Sequence, residues 1–137
     1  MTDKKKEKSM QNVREYCTKY FGRVLDQHEI FGRYYPECLE KWMEARQSLF
    51  QEPPEGALTL REKELIAVAV EIAVRKPNVS FHTKKAMDYG ATPKEIAEIA
   101  GICILLVGMV TFAESGKHAV AAAEEYAKEL ASRKGSG

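Results

Sequence analysis

Apolar residues recur every three or four positions along most of this chain of 137 residues, and no segment alternates apolar with polar residues. The first pattern is that of amphipathic helices, whereas alternation is typical of strands. Two segments also begin with helix-capping signals, Thr59 followed by Glu62 and Thr92 followed by Pro93 and Glu95. The sequence therefore predicts an all-α fold with about six helices.

The boundaries of the predicted helices follow breaks near Gly32, at the loop 53–56, at Pro77 and at Gly90. The predicted ranges are about 9–25, 36–50, 59–75, 79–89, 93–110 and 112–132. We expect residues 1–8 to form a disordered basic tail and residues 133–137 a flexible C-terminal tail. Residues 9–132 then form a single all-α domain, which a chain of this length can build around one core.

Charge and cysteine content narrow the expected partners. The chain has 21 Lys and Arg against 20 Asp and Glu, so its net charge of +1 predicts no attraction to nucleic acid or anionic membrane. The longest uncharged stretch, residues 99–113, is shorter than the roughly 20 residues of a bilayer span. Its three cysteines match no disulfide or zinc spacing, and no secretory signal pattern is present, so we expect a cytoplasmic protein. The expected partners are a small molecule and further copies of the chain.

The third predicted helix carries charged residues in an otherwise apolar sequence. Glu64, Glu71 and Arg75 are spaced to share one helix face, and Glu71 and Arg75 are spaced to form an ion pair. Glu64 is either half-solvated at the positive end of the helix or a carboxylate held in an apolar pocket for proton transfer. The sequence leaves open whether Glu71 faces a pocket or an interface.

His82 lies near the start of the next predicted helix, which the break at 76–78 folds back against the third helix. We expect His82 and Glu64 to face a common space, since an imidazole and a carboxylate are the minimum set for moving a proton. A lone histidine is more often simply a satisfied or exposed residue, and that interpretation stays open. No spacing predicts a metal site and no glycine-rich phosphate loop is present, so we expect no metal and no cofactor.

Two segments carry a family resemblance. Residues 60–73, LREKELIAVAVEIA, and residues 82–96, HTKKAMDYGATPKEI, resemble the carboxymuconolactone decarboxylase family, which includes the alkylhydroperoxidase D-like proteins. The similar core runs from about 58 to 112. The resemblance implies an all-helical fold that assembles into trimers or hexamers, with a small active-site pocket near the subunit interface.

The peroxidase branch of this family uses a Cys-x-x-Cys-x-x-x-His motif with an upstream glutamate. His82 matches the histidine and Glu64 the glutamate, but the cysteine positions fall on Arg75, or on Lys76 with a shorter loop, and on Asn78. A two-cysteine relay requires both thiols, so we expect no such peroxidase activity.

The decarboxylase branch also lacks the cysteines, but it carries a glutamate at the position of Asn78 and a second histidine at that of Phe81. Both differences argue against the family's own lactone decarboxylation. What the resemblance implies is a pair of acid–base residues, Glu64 and His82, in a pocket whose substrate-binding residues are Asn78, Arg75, Lys76 and Phe81.

From these residues we expect a cofactor-free lyase, isomerase or hydrolase that acts on a small organic acid or lactone. Glu64 or His82 would be the general acid or base, Asn78 would donate a hydrogen bond, and Arg75 or Lys76 would bind a carboxylate. One alternative is a non-catalytic ligand-binding or accessory subunit of the same fold, and another is a residual thiol peroxidase that uses Cys103.

We also expect a homo-oligomer. The apolar helices around residues 65–74 and 99–112 exceed what a chain of this size buries alone, and a symmetric interface would cover the excess. The choice of trimer or hexamer comes from the resemblance.

Overall fold

The structure is a computed structural model that describes residues 2–135, and these residues are all-helical, as predicted. A short π-helical segment, Phe112–Gly116, precedes the last helix. The described residues form seven α-helices: α1 Asp3–Phe21, α2 Asp26–Gly32, α3 Pro36–Leu49, α4 Leu60–Ala73, α5 Ser80–Asp88, α6 Pro93–Leu106 and α7 Lys117–Gly135. The chain divides into two compact units, one ending at Gln51 and the other beginning at Glu52. The single domain expected over 9–132 stays a prediction, and each unit is described by itself.

The first unit contains α1, α2 and α3. Both α1 and α2 pack against α3. On α1 the buried positions recur at the helical spacing seen in the sequence, which is why one face of this otherwise polar helix meets the core. The core residues are Met10, Val13, Tyr16, Cys17, Leu39 and Met43.

Helix α1 begins earlier than predicted. Its N-cap is Thr2, whose side chain accepts a hydrogen bond from the backbone N–H of Lys5, and Asp3 lies at the positive end of the helix. Residues 3–8 are exposed, as a basic tail would be, but they are helical. The expectation of a disordered tail over these residues is therefore corrected, because Lys and Glu are good helix formers once a cap is supplied.

The sequence predicts only a break near Gly32, but the structure has the helix α2 there. This helix has 7 residues, and its N-cap Leu25 makes no side-chain capping bond. It therefore lacks the length and the capping residue by which a helix is recognised in a sequence. A Cβ at Gly32, at its end, would meet the thioether of Met10, so that side chain would have to shift.

The second unit contains α4 to α7. Helix α5 packs against α4 and α7, and α6 packs against the same two helices. Small residues at the crossings allow close approach of the backbones. The fully buried core includes Val68, Ile72, Ala86, Ile96, Ala100, Ala119 and Ala123. This packing fixes α4 and α5 side by side, and the candidate site lies on these two helices.

The two predicted caps are present at the starts of α4 and α6. Thr59 Oγ1 accepts from the N–H of Glu62 at 3.1 Å, and the Glu62 carboxylate accepts from the N–H of Thr59 at 3.2 Å. At α6, Thr92 Oγ1 accepts from the N–H of Glu95 at 3.2 Å. These caps fix where each helix begins and therefore the angular position of the residues that follow.

Helix α4 ends at Ala73, before the predicted end near Arg75. The N–H of Arg75 donates to the carbonyl of Ile72 and the N–H of Lys76 donates to the carbonyl of Glu71, both at 2.9 Å. Arg75 has a φ of +61°, so the helix terminates in a Schellman motif with an arginine at the left-handed position. The chain reverses there and carries Lys76 back over the last turn.

Helix α6 is also shorter than predicted, and the last helix ends later than predicted. Gly108 adopts a φ of +135°, so the chain leaves the helix soon after Leu106 and not near residue 110. The π-helical segment and α7 then continue to Gly135, beyond the predicted end at Ser132. Residues 133–135 of the expected C-terminal tail are thus helical, and residues 136 and 137 lie outside the described residues.

Candidate functional site

The structure brings Glu64 of α4 into contact with His82 of α5. The Nδ1 atom of His82 lies 2.6 Å from Oε2 of Glu64. Glu64 is 4% exposed. Of the two positions that the sequence left open for this carboxylate, half-solvated or buried, it therefore has the buried one. The capping box fixes where α4 begins, and α5 begins at Ser80. With these starts, Glu64 and His82 lie opposite each other on adjacent helices.

A second carboxylate, Glu71, lies at the other nitrogen of the same ring. Oε1 of Glu71 is 3.2 Å from Nε2 of His82 and 3.5 Å from Nζ of Lys76. Glu71 follows Glu64 by two helical turns on one face of α4, which is why one imidazole spans both. The sequence placed Glu71 on this face but did not single it out as a site residue.

The predicted pairing of Glu71 with Arg75 is not the arrangement found. Arg75 Nε lies 3.7 Å from Oε2 of Glu114 in the π-helical segment, and Lys76 takes the position beside Glu71. The reason is the early end of α4: Arg75 lies past the helix in a left-handed conformation, so the helical i, i+4 spacing no longer applies to it.

Asn78 and Phe81 surround the start of α5. Oδ1 of Asn78 accepts hydrogen bonds from the N–H of Ser80 at 3.1 Å and from its hydroxyl at 2.8 Å, so this oxygen stabilises the helix that carries His82. The Phe81 ring meets the His82 ring edge to face, with centroids 5.0 Å apart. Phe81 therefore borders the imidazole, while Asn78 positions it through the backbone.

The three central groups form a line of carboxylate, imidazole and carboxylate. An ionised carboxylate only accepts hydrogen bonds, so contact with Glu64 requires the hydrogen of the neutral ring to be on Nδ1. In that neutral form Nε2 carries no hydrogen and takes a proton, whereas in the imidazolium form both nitrogens carry hydrogens and Nε2 donates to Glu71. The His82 side chain is 20% exposed and that of Glu71 13%, so this side of the ring is the more accessible one.

These side chains do not converge as metal ligands do, because the two carboxylates face opposite nitrogens of one ring. Across residues 2–135, no group of three or more His, Cys, Asp or Glu side chains is arranged to hold a metal ion.

Cys103, the thiol of the residual-peroxidase alternative, lies on α6. Its Sγ donates to the carbonyl of Ala69 at 3.5 Å, and burial raises the pKa of the thiol. A nucleophilic cysteine needs the thiolate at neutral pH, and burial opposes its formation. This environment is that of a core cysteine.

Comparisons with known proteins agree with this architecture. The model of the family described as "Carboxymuconolactone decarboxylase family" matches residues 36–125. A crystal structure of a protein from Burkholderia xenovorans LB400, provisionally assigned as a carboxymuconolactone decarboxylase, is similar with a TM-score of 0.82 and 25% sequence identity, covering 93% of this chain and 98% of that one. No match to this chain is found among curated proteins.

None of the helices within residues 2–135 combines the length and the apolar character needed to cross a bilayer.

Proposed function

Because this chain belongs to the carboxymuconolactone decarboxylase family, we propose that it is a cofactor-free acid–base enzyme of the lyase, isomerase or hydrolase type. Its substrate is a small organic acid or lactone. The observation that carries the proposal is the pair of contacts at His82, with Glu64 at 2.6 Å from one ring nitrogen and Glu71 at 3.2 Å from the other.

Glu64 acts as the orienting carboxylate in this proposal. It is buried, and it accepts a hydrogen bond from Nδ1 of His82, which holds the ring in one tautomer and stabilises the imidazolium that forms when Nε2 takes a proton. A buried carboxylate behind a histidine has this effect in other enzymes that use histidine as a general base. The reacting atom is then Nε2 of His82.

His82 moves the proton at the substrate. Nε2 takes a proton from a carbon or hydroxyl next to the substrate carbonyl, or returns one to it, and general acid–base catalysis of this kind contributes about 10² to 10⁴ in rate. The Phe81 ring against His82 shields one side of the imidazole from water. Exclusion of water strengthens the electrostatic interactions within the site.

Lys76 binds the negative charge of the substrate. Lys76 is favoured over Arg75 for this role because Nζ of Lys76 lies 3.5 Å from Glu71, beside His82, whereas Nε of Arg75 lies 3.7 Å from Glu114. Asn78 supports the site through the start of α5, with its carbonyl oxygen engaged by Ser80.

A thermal-shift screen tests the proposal without a known reaction. Small carboxylates, lactones and acyl thioesters are added to the wild type, to Glu64→Gln and to His82→Asn, because a ligand of the native state raises the unfolding midpoint. We expect a hit whose shift is reduced in both variants. Hits indifferent to both changes would instead support a ligand-binding or accessory subunit that does not use this pair.

We further propose that the protein is a homo-oligomer, a trimer or a hexamer. Support comes from apolar side chains at the end of α6 that stay exposed in the single chain, with Leu105 85% and Leu106 81% exposed. An exposed apolar stripe also runs along α4 to its C-cap, through Ile66, Val70 and Val74. Soluble monomers rarely leave apolar patches of this kind uncovered. Light scattering at micromolar concentration is expected to give a multiple of the chain mass, and a stable monomer would contradict it.

A further inference from the structure

Two nitrogen atoms approach one oxygen atom in the candidate site, and both donate to it when His82 is in its imidazolium form. Oε1 of Glu71 lies 3.2 Å from Nε2 of His82 and 3.5 Å from Nζ of Lys76. We propose that this position is the binding site for a ligand carboxylate, and that Glu71 occupies it until a ligand displaces it. The inference rests on the proposed function, since it names how that site selects an anionic substrate.

The backbone brings one of the two donors close to Glu71. The Schellman motif at the end of α4 bonds the N–H of Lys76 to the carbonyl of Glu71 at 2.9 Å, so the main chains of the two residues are adjacent. The motif holds an arginine at the left-handed position, where L side chains other than Asn or Asp are uncommon. The main chain thus keeps residue 76 next to Glu71, within reach of the lysine side chain.

The second donor is fixed by Glu64. The 2.6 Å contact at Nδ1 orients the imidazole, so Nε2 points to the same oxygen of Glu71 that Lys76 approaches. A fork of one lysine ammonium and one imidazolium N–H is a suitable receptor for an oxyanion, because both groups donate charge-assisted hydrogen bonds. Without a ligand, Oε1 of Glu71 is the oxygen that both groups approach.

The exposure of the three groups makes exchange of that oxygen feasible. Lys76 is 55% exposed, Glu71 is 13% exposed and His82 is 20% exposed, so solvent reaches the fork from the Lys76 side. A ligand carboxylate entering there accepts the same two hydrogen bonds in place of the Glu71 carboxylate. A neutral molecule does not replace these charge-assisted bonds, so Glu71 acts as a specificity residue that excludes neutral molecules and competes with anions.

Binding of a small probe tests this inference. Propionate is titrated into the wild type and into Glu71→Gln, with binding followed by NMR of the histidine side chains, and propionamide serves as the uncharged probe of equal size. Glu98→Gln is the matched control, since Glu98 is an exposed residue of α6 and its substitution changes the net charge equally.

We expect Glu71→Gln to bind propionate about tenfold more tightly than the wild type, because the competing carboxylate is gone. Glu98→Gln should match the wild type, and propionamide should bind none of the proteins measurably. Adding Lys76→Gln to Glu71→Gln should remove the gain. Equal affinities in Glu71→Gln and Glu98→Gln, or a gain that survives Lys76→Gln, would overturn the inference.

The outcome is separable from that of the proposed function. Tighter propionate binding in Glu71→Gln, with no proton transfer that depends on His82, would support the anion site and contradict the proposed enzymatic function. Proton transfer that depends on His82, with no gain in propionate binding, would do the reverse.

Discussion

His82 and Glu64 are 18 residues apart in the chain and meet at 2.6 Å through the ring nitrogen Nδ1 and the carboxylate oxygen Oε2. The contact joins α4 to α5 inside the second unit, where Glu64 is buried. A pair of this kind serves two purposes, since it links the helices and also orients the imidazole. The first purpose is measured by the stability of variants, and the second by their rate of proton transfer.

The first prediction concerns stability. Glu64→Ala leaves the Nδ1 donor of a partly buried histidine without its acceptor, so we expect a loss of about 1–3 kcal/mol in the free energy of unfolding. Glu64→Gln keeps the shape and an acceptor oxygen, and should lose clearly less. Urea unfolding of the two variants measures the difference. Equal stability of wild type and Glu64→Ala would mean that the contact is not formed in solution.

The second prediction concerns the backbone at Arg75. Its φ of +61° costs a non-glycine residue about 1 kcal/mol or more, so Arg75→Gly should leave the free energy of unfolding unchanged or raise it by up to about 1 kcal/mol. Its exposed pair with Glu114 offsets little of this. Gly90→Ala, at a φ of +98°, is the opposite control and should destabilise the protein. A destabilised Arg75→Gly would contradict the assigned conformation.

These two positions show which part of the fold the sequence reveals. Helix α5 ends in the same motif as α4, with the N–H of Gly90 bonded to Met87 and that of Ala91 bonded to Ala86. Gly90 is visible in the sequence as a helix stop, so that end was predicted. Arg75 carries no such signal, because an arginine is uncommon in the left-handed conformation that it adopts here.

The same contrast holds for the site. Glu64 and His82 were found because a charged residue and a histidine stood out on apolar helices and matched a family pattern. Glu71 was assigned to Arg75 by the helical spacing, and only the early end of α4 transfers it to His82 and Lys76. Because α4 ends two residues sooner than predicted, Lys76 and not Arg75 faces the Glu71 carboxylate. The exact end of a helix is the feature that a sequence predicts least well.

The third prediction concerns the cysteines. Cys17 and Cys103 are buried, burial raises the pKa of both thiols, and Cys38 is exposed. A thiol reagent added to the native protein should therefore modify Cys38 rapidly and the other two only on unfolding. Cys38→Ser should abolish the fast phase. A fast phase that persists in Cys38→Ser would show that a buried thiol is accessible.

The cytoplasmic location expected from the sequence stays a prediction.

The fourth prediction concerns pH and the first unit. Burial lowers the pKa of His28, whose ring stacks on Phe21 with centroids 5.5 Å apart. The unfolded chain then binds a proton at a higher pH than the folded one, so the stabilising effect is complete above about pH 6.5 and is lost as the pH falls through the lower, folded-state pKa.

Urea unfolding between pH 7.5 and pH 5 measures this effect. The wild type should lose stability toward the acid side, and His28→Gln should lose less over the same range, whatever its stability at pH 7.5. His118→Gln, at an exposed histidine, is the control and should follow the wild type. A His28→Gln profile parallel to that of the wild type would contradict the prediction.

Proton transfer at Nε2 of His82 is the central claim, and solvent deuterium exchange tests it most directly. A small acid or lactone that binds in the thermal-shift screen is incubated in D₂O with the wild type, His82→Asn, Glu64→Gln and His118→Asn, and deuterium at the carbon next to its carbonyl is followed by NMR. The account predicts incorporation by the wild type and His118→Asn, and a rate lower by about 10² or more in the other two variants. Incorporation that proceeds equally well in His82→Asn would contradict it.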